Sequence, residues 1–179
     1  MTVLAATTIT APSVSAAEPP GFIPWWQAPH PKLVHKLRRD IRFRRDRAVD
    51  RAWKLGVILT PRDRERLTID IPTLRAMDAR WHARAHAYRL ELRRRAPVYA
   101  ALACIHSYEG SWWAYSPAGP YYGGYQMDPS FEAHYGPDYL AIWGDASSWP
   151  APMQTAAAYR ATLEVGYSPW PTSAAACGV

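Results

Sequence analysis

The stretch VYAALACIHSYEG, residues 98–110, joins a run of apolar residues to a single acidic residue. Its small and aliphatic side chains predict a short, buried helix over Val98–Tyr108. Glu109 follows at the end of this helix, with Trp112 and Trp113 close to it in the chain. An apolar environment favours the neutral form of a carboxyl group, which can then donate a proton. Glu109 is therefore a candidate general acid, and the alternative is a solvated glutamate at a helix end.

A turn-rich aromatic block, SPAGPYYGGYQMD (residues 116–128), follows this helix. Paired glycines allow tight turns and let a ligand approach the main chain closely. Tyrosine and tryptophan rings offer flat faces to sugars, and a glutamine amide offers a donor and an acceptor together. A purely structural turn segment would have the same composition, so both interpretations stay open. The candidate substrate-binding residues are Trp112, Tyr121, Tyr122, Gly123, Gly124, Gln126 and Trp143.

Asp128 has two possible roles. It precedes Pro129 and Ser130, a pattern typical of a helix N-cap, and we expect a helix from there to about Tyr135. It also lies 19 residues after Glu109, across the turn, where it could act as a second carboxylate. The capping role is the favoured one.

The chain has two cysteines, Cys104 and Cys177, and no CxxC pair of the kind that binds metals. A disulfide between them would close a loop of about 70 residues and would stabilise the fold by about 4 kcal/mol. Two unrelated buried thiols are the alternative. His82 and His86 have the i,i+4 spacing of metal ligands, but no third candidate ligand accompanies them. We therefore expect no metal site.

Positive charge is concentrated in residues 32–95, which hold 20 of the 21 Lys and Arg residues and only 8 acidic residues. Residues 96–179 hold one Arg and six acids, so the two parts of the chain have opposite net charge. Such a basic segment is either a solvated face or a surface for an anionic wall polymer or membrane. Nucleic acid is disfavoured as a partner, because no zinc-finger or basic-zipper pattern is present.

The basic segment has helical periodicity. Apolar residues recur every three or four positions over Lys32–Leu55, and a second stripe occupies residues 74–92. Pro97 is expected to end the second helix. Residues 32–96 are thus predicted to form a basic helical hairpin whose two apolar stripes pair with each other.

The first 31 residues combine a signal-like segment with a linker. Val3–Ala17 is small and apolar, and Val14–Ala16 fits the small-residue rule for signal cleavage. No basic residue precedes Lys32, so the start of such a signal is missing. We expect export, with a disordered Ala/Thr tail as the alternative, followed by a Pro-rich linker over residues 18–31.

Four sequence elements occur in a familiar order. They are the acid within CIHSYEGSW (residues 104–112), the turn YYGGYQM (residues 121–127), Trp170–Pro171 and Cys177–Gly178. Together they resemble the transglycosylase-like domain of resuscitation-promoting factors, secreted actinobacterial enzymes of the lysozyme superfamily that cut peptidoglycan. The resemblance covers about residues 96–179, and the basic segment has no counterpart in it.

The resemblance implies a lysozyme-like fold in which Glu109 is the catalytic acid, Tyr121–Gln126 lines the glycan cleft, and Cys104 and Cys177 form a disulfide that closes the domain. It implies cleavage of the linkage between N-acetylmuramic acid and N-acetylglucosamine by a lytic transglycosylase or a muramidase, without cofactor. The family's Glu-Ser-Gly-Gly is Glu-Gly-Ser-Trp here, so the loop after the acid is expected to differ.

These inferences predict a mainly α-helical, secreted chain. Residues 1–31 are a signal-like segment and linker, residues 32–96 a basic helical hairpin, and residues 97–179 a small lysozyme-like domain, mostly helical with a little β structure. The expected partner is peptidoglycan, with an anionic wall polymer or membrane surface contacted through residues 32–95. The alternative function is a non-catalytic wall-binding protein that acts through the hairpin.

Overall fold

A computed structural model of the chain describes residues 23–60, 66–116 and 119–179. The predicted signal-like segment and the first part of the linker lie outside these residues. The described residues are mainly helical, which confirms the predicted class. Their elements are α1 (Pro31–Lys54), α2 (Ile71–Glu109), the antiparallel strands β1 (Tyr115–Ser116) and β2 (Tyr121–Tyr122), α3 (Pro129–Tyr135), α4 (Pro137–Trp143), α5 (Ala151–Val165) and α6 (Pro171–Ala176), with 3-10 helices at Trp25–Gln27 and Ala146–Ser148.

Helix α2 runs without a break through Pro97, where the sequence predicted a helix end. A proline inside a helix loses one hydrogen bond and costs about 3 kcal/mol. Two anchored halves offset this cost, because Trp81 lies in one hydrophobic cluster and Leu102 in the other. The exposed position of Pro97 also leaves its ring in solvent. The predicted boundary between residues 96 and 97 therefore falls inside a continuous helix of 39 residues.

Helices α1 and α2 lie side by side and run in the same direction. Arg44 donates to Asp78 at 2.6 Å, and Arg51 donates to the carbonyl oxygen of Ala85 at 2.5 Å. Both pairs are 34 positions apart, so a step of two turns along α1 is matched by two turns along α2. Only parallel helices keep such a constant separation. The two apolar stripes do pair, as expected, but the predicted hairpin, which would be antiparallel, is wrong.

The connection between the two helices is long enough to permit this arrangement. It has 16 residues, from Leu55 to Asp70, and an extended chain of that length spans up to about 55 Å. Helix α1 is about 36 Å long. The connection is therefore long enough to return to the start of α1 before α2 begins. We call α1 together with residues 71–95 of α2 the basic helix pair.

The core of the basic helix pair is made by the predicted stripes. Its fully or almost fully buried members are Ala28, Val34, Ile41, Ala48, Leu74, Met77, Trp81 and Ala85. The arginines between these positions on α1 stay at least partly exposed. The pairing of two apolar stripes thus leaves a strongly cationic outer surface.

A second core lies around α5, which contacts α1, α2 and α3. It joins the basic helix pair at Gly56, just after α1, where a Cβ atom would lie 2.3 Å from the Cβ of Ala156. The hydroxyl of Tyr139 donates to the carbonyl oxygen of Gly56 at 2.5 Å. This close approach requires glycine. The buried residues of α5 are Met153, Gln154, Ala156, Ala157, Ala158, Tyr159 and Ala161.

Candidate functional site

Glu109 is the last residue of α2, at the end of the helix that crosses both cores. Gly110 ends the helix with φ 147°, a left-handed value that favours glycine. The Glu109 side chain is half-buried, and its Oε1 accepts a hydrogen bond from the hydroxyl of Ser173 on α6. The carboxyl group is thus held at one oxygen by a buried serine.

The predicted disulfide between Cys104 and Cys177 is present and connects α2 to the end of α6. The two Cα atoms are 5.9 Å apart. Cys104 lies five residues before Glu109, and Cys177 lies four residues after Ser173. The disulfide therefore fixes the helix that carries Ser173 next to the helix that carries Glu109.

The turn predicted to bind glycan is tied into the sheet. The main chains of Tyr122 and Met127 exchange two hydrogen bonds of 2.9 Å, and Gly123 N–H donates to the Ala114 carbonyl at 2.8 Å. Gln126 adopts φ 50°, and its side-chain Nε2 donates to the Gly123 carbonyl at 3.0 Å. The turn is therefore a defined structure before any ligand binds.

Gln126 lies beside the residue that follows Glu109. A Cβ atom built on Gly110 would be 3.7 Å from Nε2 of Gln126. The structure thus brings two predicted site residues, Glu109 and Gln126, to the same end of α2, although 17 positions separate them in the chain.

Gln154 on α5 supports the turn and was missed by the sequence analysis. Its Oε1 accepts from Gly124 N–H at 2.7 Å, and its Nε2 donates to the carbonyls of Trp112 and Trp149 at 2.8 and 2.9 Å. The side chain is fully buried. A Cβ atom on Gly123 would be 2.4 Å from its Oε1, so this glycine is needed for the close approach. A glutamine in a helix gives no local signal of such a role.

Trp112 has its ring stacked on His106, with centroids 3.7 Å apart and planes at 18°. Its half-buried indole also contacts Tyr125 edge-on at 5.6 Å. One face of Trp112 is thus covered by His106, and burial lowers the pKa of His106, which favours the neutral ring. The ring of Trp143 lies against Tyr139, whose hydroxyl binds Gly56, on the side of the core that meets α1.

Exposed aromatic rings occur in the segments on both sides of the turn. Tyr108 is 62% exposed, Trp113 66%, Tyr115 63% and Tyr121 46%. Tyr108 immediately precedes the candidate acid, and Tyr115 pairs with Tyr122 across the two strands. Exposed rings of this kind suit stacking on sugars. The predicted set contained Tyr121 and Tyr122 but neither Tyr108 nor Tyr115.

Asp128 caps α3, as the favoured interpretation predicted. Its Oδ1 accepts from the main-chain N–H of Phe131 at 2.8 Å and from the hydroxyl of Ser130 at 2.5 Å. These two donors, the Ser130 hydroxyl first, lower the pKa of Asp128. A carboxylate held ionised in this way is suited to capping a helix and unsuited to donating a proton.

Glu132 on α3 is a buried carboxyl group that the sequence analysis did not single out. It is 2% exposed, and its Oε1 accepts from the main-chain N–H of Ala146 at 2.6 Å. Burial raises the pKa of Glu132 to about 7. Glu132 lies four residues after Asp128. Only the tertiary fold determines that its side chain is buried.

Glu132→Gln is expected to stabilise the protein at pH 8 and to have little effect at pH 5. The folded-state pKa lies above the unfolded value, so the wild type loses stability as the pH rises from about 4.5 to about 7. A shift of this size corresponds to up to about 3 kcal/mol. Glutamine keeps the acceptor for Ala146 without a charge. Urea unfolding at the two pH values measures the effect, with the exposed Asp138→Asn as control. If the free energy of unfolding depended on pH equally in the wild type and in Glu132→Gln, the raised pKa of Glu132 would be contradicted.

Gly124→Ala is expected to disturb the site through His106 and Trp112. A Cβ atom at this position would be 2.4 Å from Cδ2 of His106 and 2.9 Å from Cε3 of Trp112. Such overpacking costs about 1–3 kcal/mol. In thermal unfolding, the double variant Gly124→Ala/His106→Ala should lose less stability than the sum of the two single variants, because the shortened side chain makes room. If the losses of stability in the two single variants simply added up in the double variant, the new methyl group would not clash with His106.

Among residues 23–60, 66–116 and 119–179, no group of three or more His, Cys, Asp or Glu side chains is placed to hold a metal ion. No helix in this described part of the chain is long and apolar enough to cross a membrane.

Comparisons of the chain with models of protein families, with curated proteins and with solved structures gave no match.

Proposed function

We propose that this protein is a secreted glycosidase that cuts peptidoglycan between N-acetylmuramic acid and N-acetylglucosamine, with Glu109 as general acid and base. The observation that carries the proposal is the position of the Glu109 carboxyl group. It is held by the Ser173 hydroxyl at the end of α2, and the next residue, Gly110, lies beside the amide of Gln126. Exposed tyrosine and tryptophan rings occur in the segments around it. A held carboxyl group in a segment rich in exposed aromatic rings suits the hydrolysis of a glycan.

Protonated Glu109 donates its proton to the glycosidic oxygen and so makes it a better leaving group. Ser173 donates to Oε1, so we assign this proton transfer to Oε2. The amide of Gln126, beside Gly110, offers its oxygen and its second N–H to hydroxyl or N-acetyl groups of the sugar.

The charge that develops on the sugar needs a second stabilising group. Asp128 is engaged as the cap of α3, so it does not serve as a second carboxylate in this mechanism. The N-acetyl group of the substrate then takes this role, as in substrate-assisted glycosidases. Ionised Glu109 next accepts a proton from water or from the 6-hydroxyl of the muramyl residue. The first route is hydrolysis, and the second gives a 1,6-anhydro end.

Release of soluble muropeptides from purified peptidoglycan tests the proposal. The wild-type protein should release them over time, and heat-denatured protein should release none. If folded protein binds the wall but releases nothing, the glycosidase proposal fails and the non-catalytic wall-binding alternative takes its place.

A further inference from the structure

A cationic cleft opens between α1 and α2, about 30–40 Å along α2 from Glu109. Its volume is about 170 Å³. One wall carries three arginines of α1 and the other carries residues of the middle of α2. The cationic and titratable side chains that line it are Arg44, Arg47, Arg51, His82, His86 and Arg89.

Among the described residues, Asp78 is the acidic partner found for the arginines of this cleft. Asp78 offsets the charge of Arg44 at 2.6 Å. Arg51 donates to the carbonyl of Ala85, and the guanidinium of Arg47 lies 4.7 Å from the centre of the Phe43 ring. Neither a carbonyl nor a ring neutralises a charge. The contacts within the described residues hold these side chains in place and leave the cleft strongly positive.

The cleft is elongated. Arg44, Arg47 and Arg51 follow each other at intervals of three and four on α1, and His82, His86 and Arg89 do so on α2. Each row rises about 10 Å along its helix. Because the two helices are parallel, the rows run side by side in the same direction. A row of donors on each wall matches a chain of anionic groups better than a single ion.

The Phe43 ring in the cleft is already covered by another side chain. Sites for single-stranded nucleic acid combine positive charge with free aromatic faces on which bases stack. The Phe43 ring has the guanidinium of Arg47 over it. These features favour an anionic chain without bases.

We propose that the cleft between α1 and α2 binds a linear phosphodiester chain without bases, of the polyol phosphate type. Arginine forks bind phosphate oxygens in pairs, and the rows of Arg47 and Arg89 supply such forks on opposite walls. The choice of a wall polymer as the source of this chain rests on the proposed function, since such a polymer accompanies the glycan. Binding here would keep Glu109 close to its substrate in the wall.

The test measures the binding of a labelled poly(glycerol phosphate) oligomer to the full chain by fluorescence anisotropy at several salt concentrations. Arg47→Gln/Arg89→Gln removes one cation from each wall. Arg39→Gln/Arg45→Gln is the matched control, because both arginines lie on the basic helix pair outside the cleft. Circular dichroism confirms that both double variants fold.

The cleft variant should bind at least about tenfold more weakly, and its log–log salt slope should fall by about one to two, whereas the control should change less than about threefold. Equal losses of affinity in the two double variants would show that the oligomer is attracted by the overall positive charge of the basic helix pair. That result would overturn the proposal. Tighter binding of duplex DNA or of anionic vesicles at the same residues would also overturn it, as would inorganic phosphate binding as tightly as the oligomer.

Muropeptide release from peptidoglycan stripped of anionic polymer separates this proposal from the proposed function. Both double variants should release muropeptides at the wild-type rate, because no residue of the cleft touches the site around Glu109. Loss of binding with unchanged release supports the cleft. Absent release with intact oligomer binding overturns only the glycosidase proposal.

Discussion

Glu109→Gln should lower the rate of muropeptide release by about 10²–10⁴-fold, the usual contribution of a positioned general acid and base. Glutamine has nearly the same shape as glutamate, and its side-chain oxygen still accepts from the Ser173 hydroxyl. It cannot deliver a proton to the glycosidic oxygen. The loss should therefore be in the rate at saturating substrate, with thermal stability and wall binding close to the wild type.

Asp128→Asn is the matched control for this prediction. Asparagine is as good a helix cap as aspartate, so α3 should remain intact and activity should stay close to the wild type. If Asp128→Asn were as damaging as Glu109→Gln, the mechanism would need a second carboxylate. If Glu109→Gln retained full activity, Glu109 would not be the catalytic acid.

Removal of the disulfide should be the most destabilising change to the fold. The cross-link joins residues 73 positions apart, so in the chain-entropy model its loss costs about 4 kcal/mol. For a chain of this size, that loss lowers the melting temperature by about 10–15 °C. Cys104→Ser/Cys177→Ser should show this decrease in thermal unfolding. It should also lower the activity, because α6 carries the serine that holds Glu109.

Reduction of the wild-type protein should reproduce the effect of the double variant. A reducing agent should leave the melting temperature of the double variant itself unchanged, which controls for other effects of the reagent. A wild-type protein that melts at the same temperature with and without reductant would contradict the stabilising role of this bond.

The features that the sequence predicted correctly are those set by local pattern. Leu74, Met77, Trp81 and Ala85 are buried because a spacing of three and four places them on one face of a helix. Asp128 caps α3 because its carboxylate reaches main-chain N–H groups two or three residues ahead. The disulfide is the exception, since it joins residues 73 positions apart and was predicted because the chain has only two cysteines.

The features that the sequence did not predict depend on distant parts of the chain. The direction of α2 relative to α1 has no signal in the periodicity of either helix, and a connection of 16 residues is long enough for either direction. The helix continues through Pro97 because tertiary contacts on both sides outweigh a local preference. Gln154 and Glu132 are buried by packing around α5, and neither residue type is usual in a core.

The central claim is that Glu109 cuts a glycosidic bond, and mass spectrometry of the soluble products tests it most directly. Purified peptidoglycan is incubated with wild-type protein and with Glu109→Gln. We expect the wild type to release disaccharide-containing muropeptides with a muramyl end, either reducing or one water lighter as an anhydro end, and the variant to release almost none. Products that are free peptides without sugar, or equal release by both proteins, would contradict the claim.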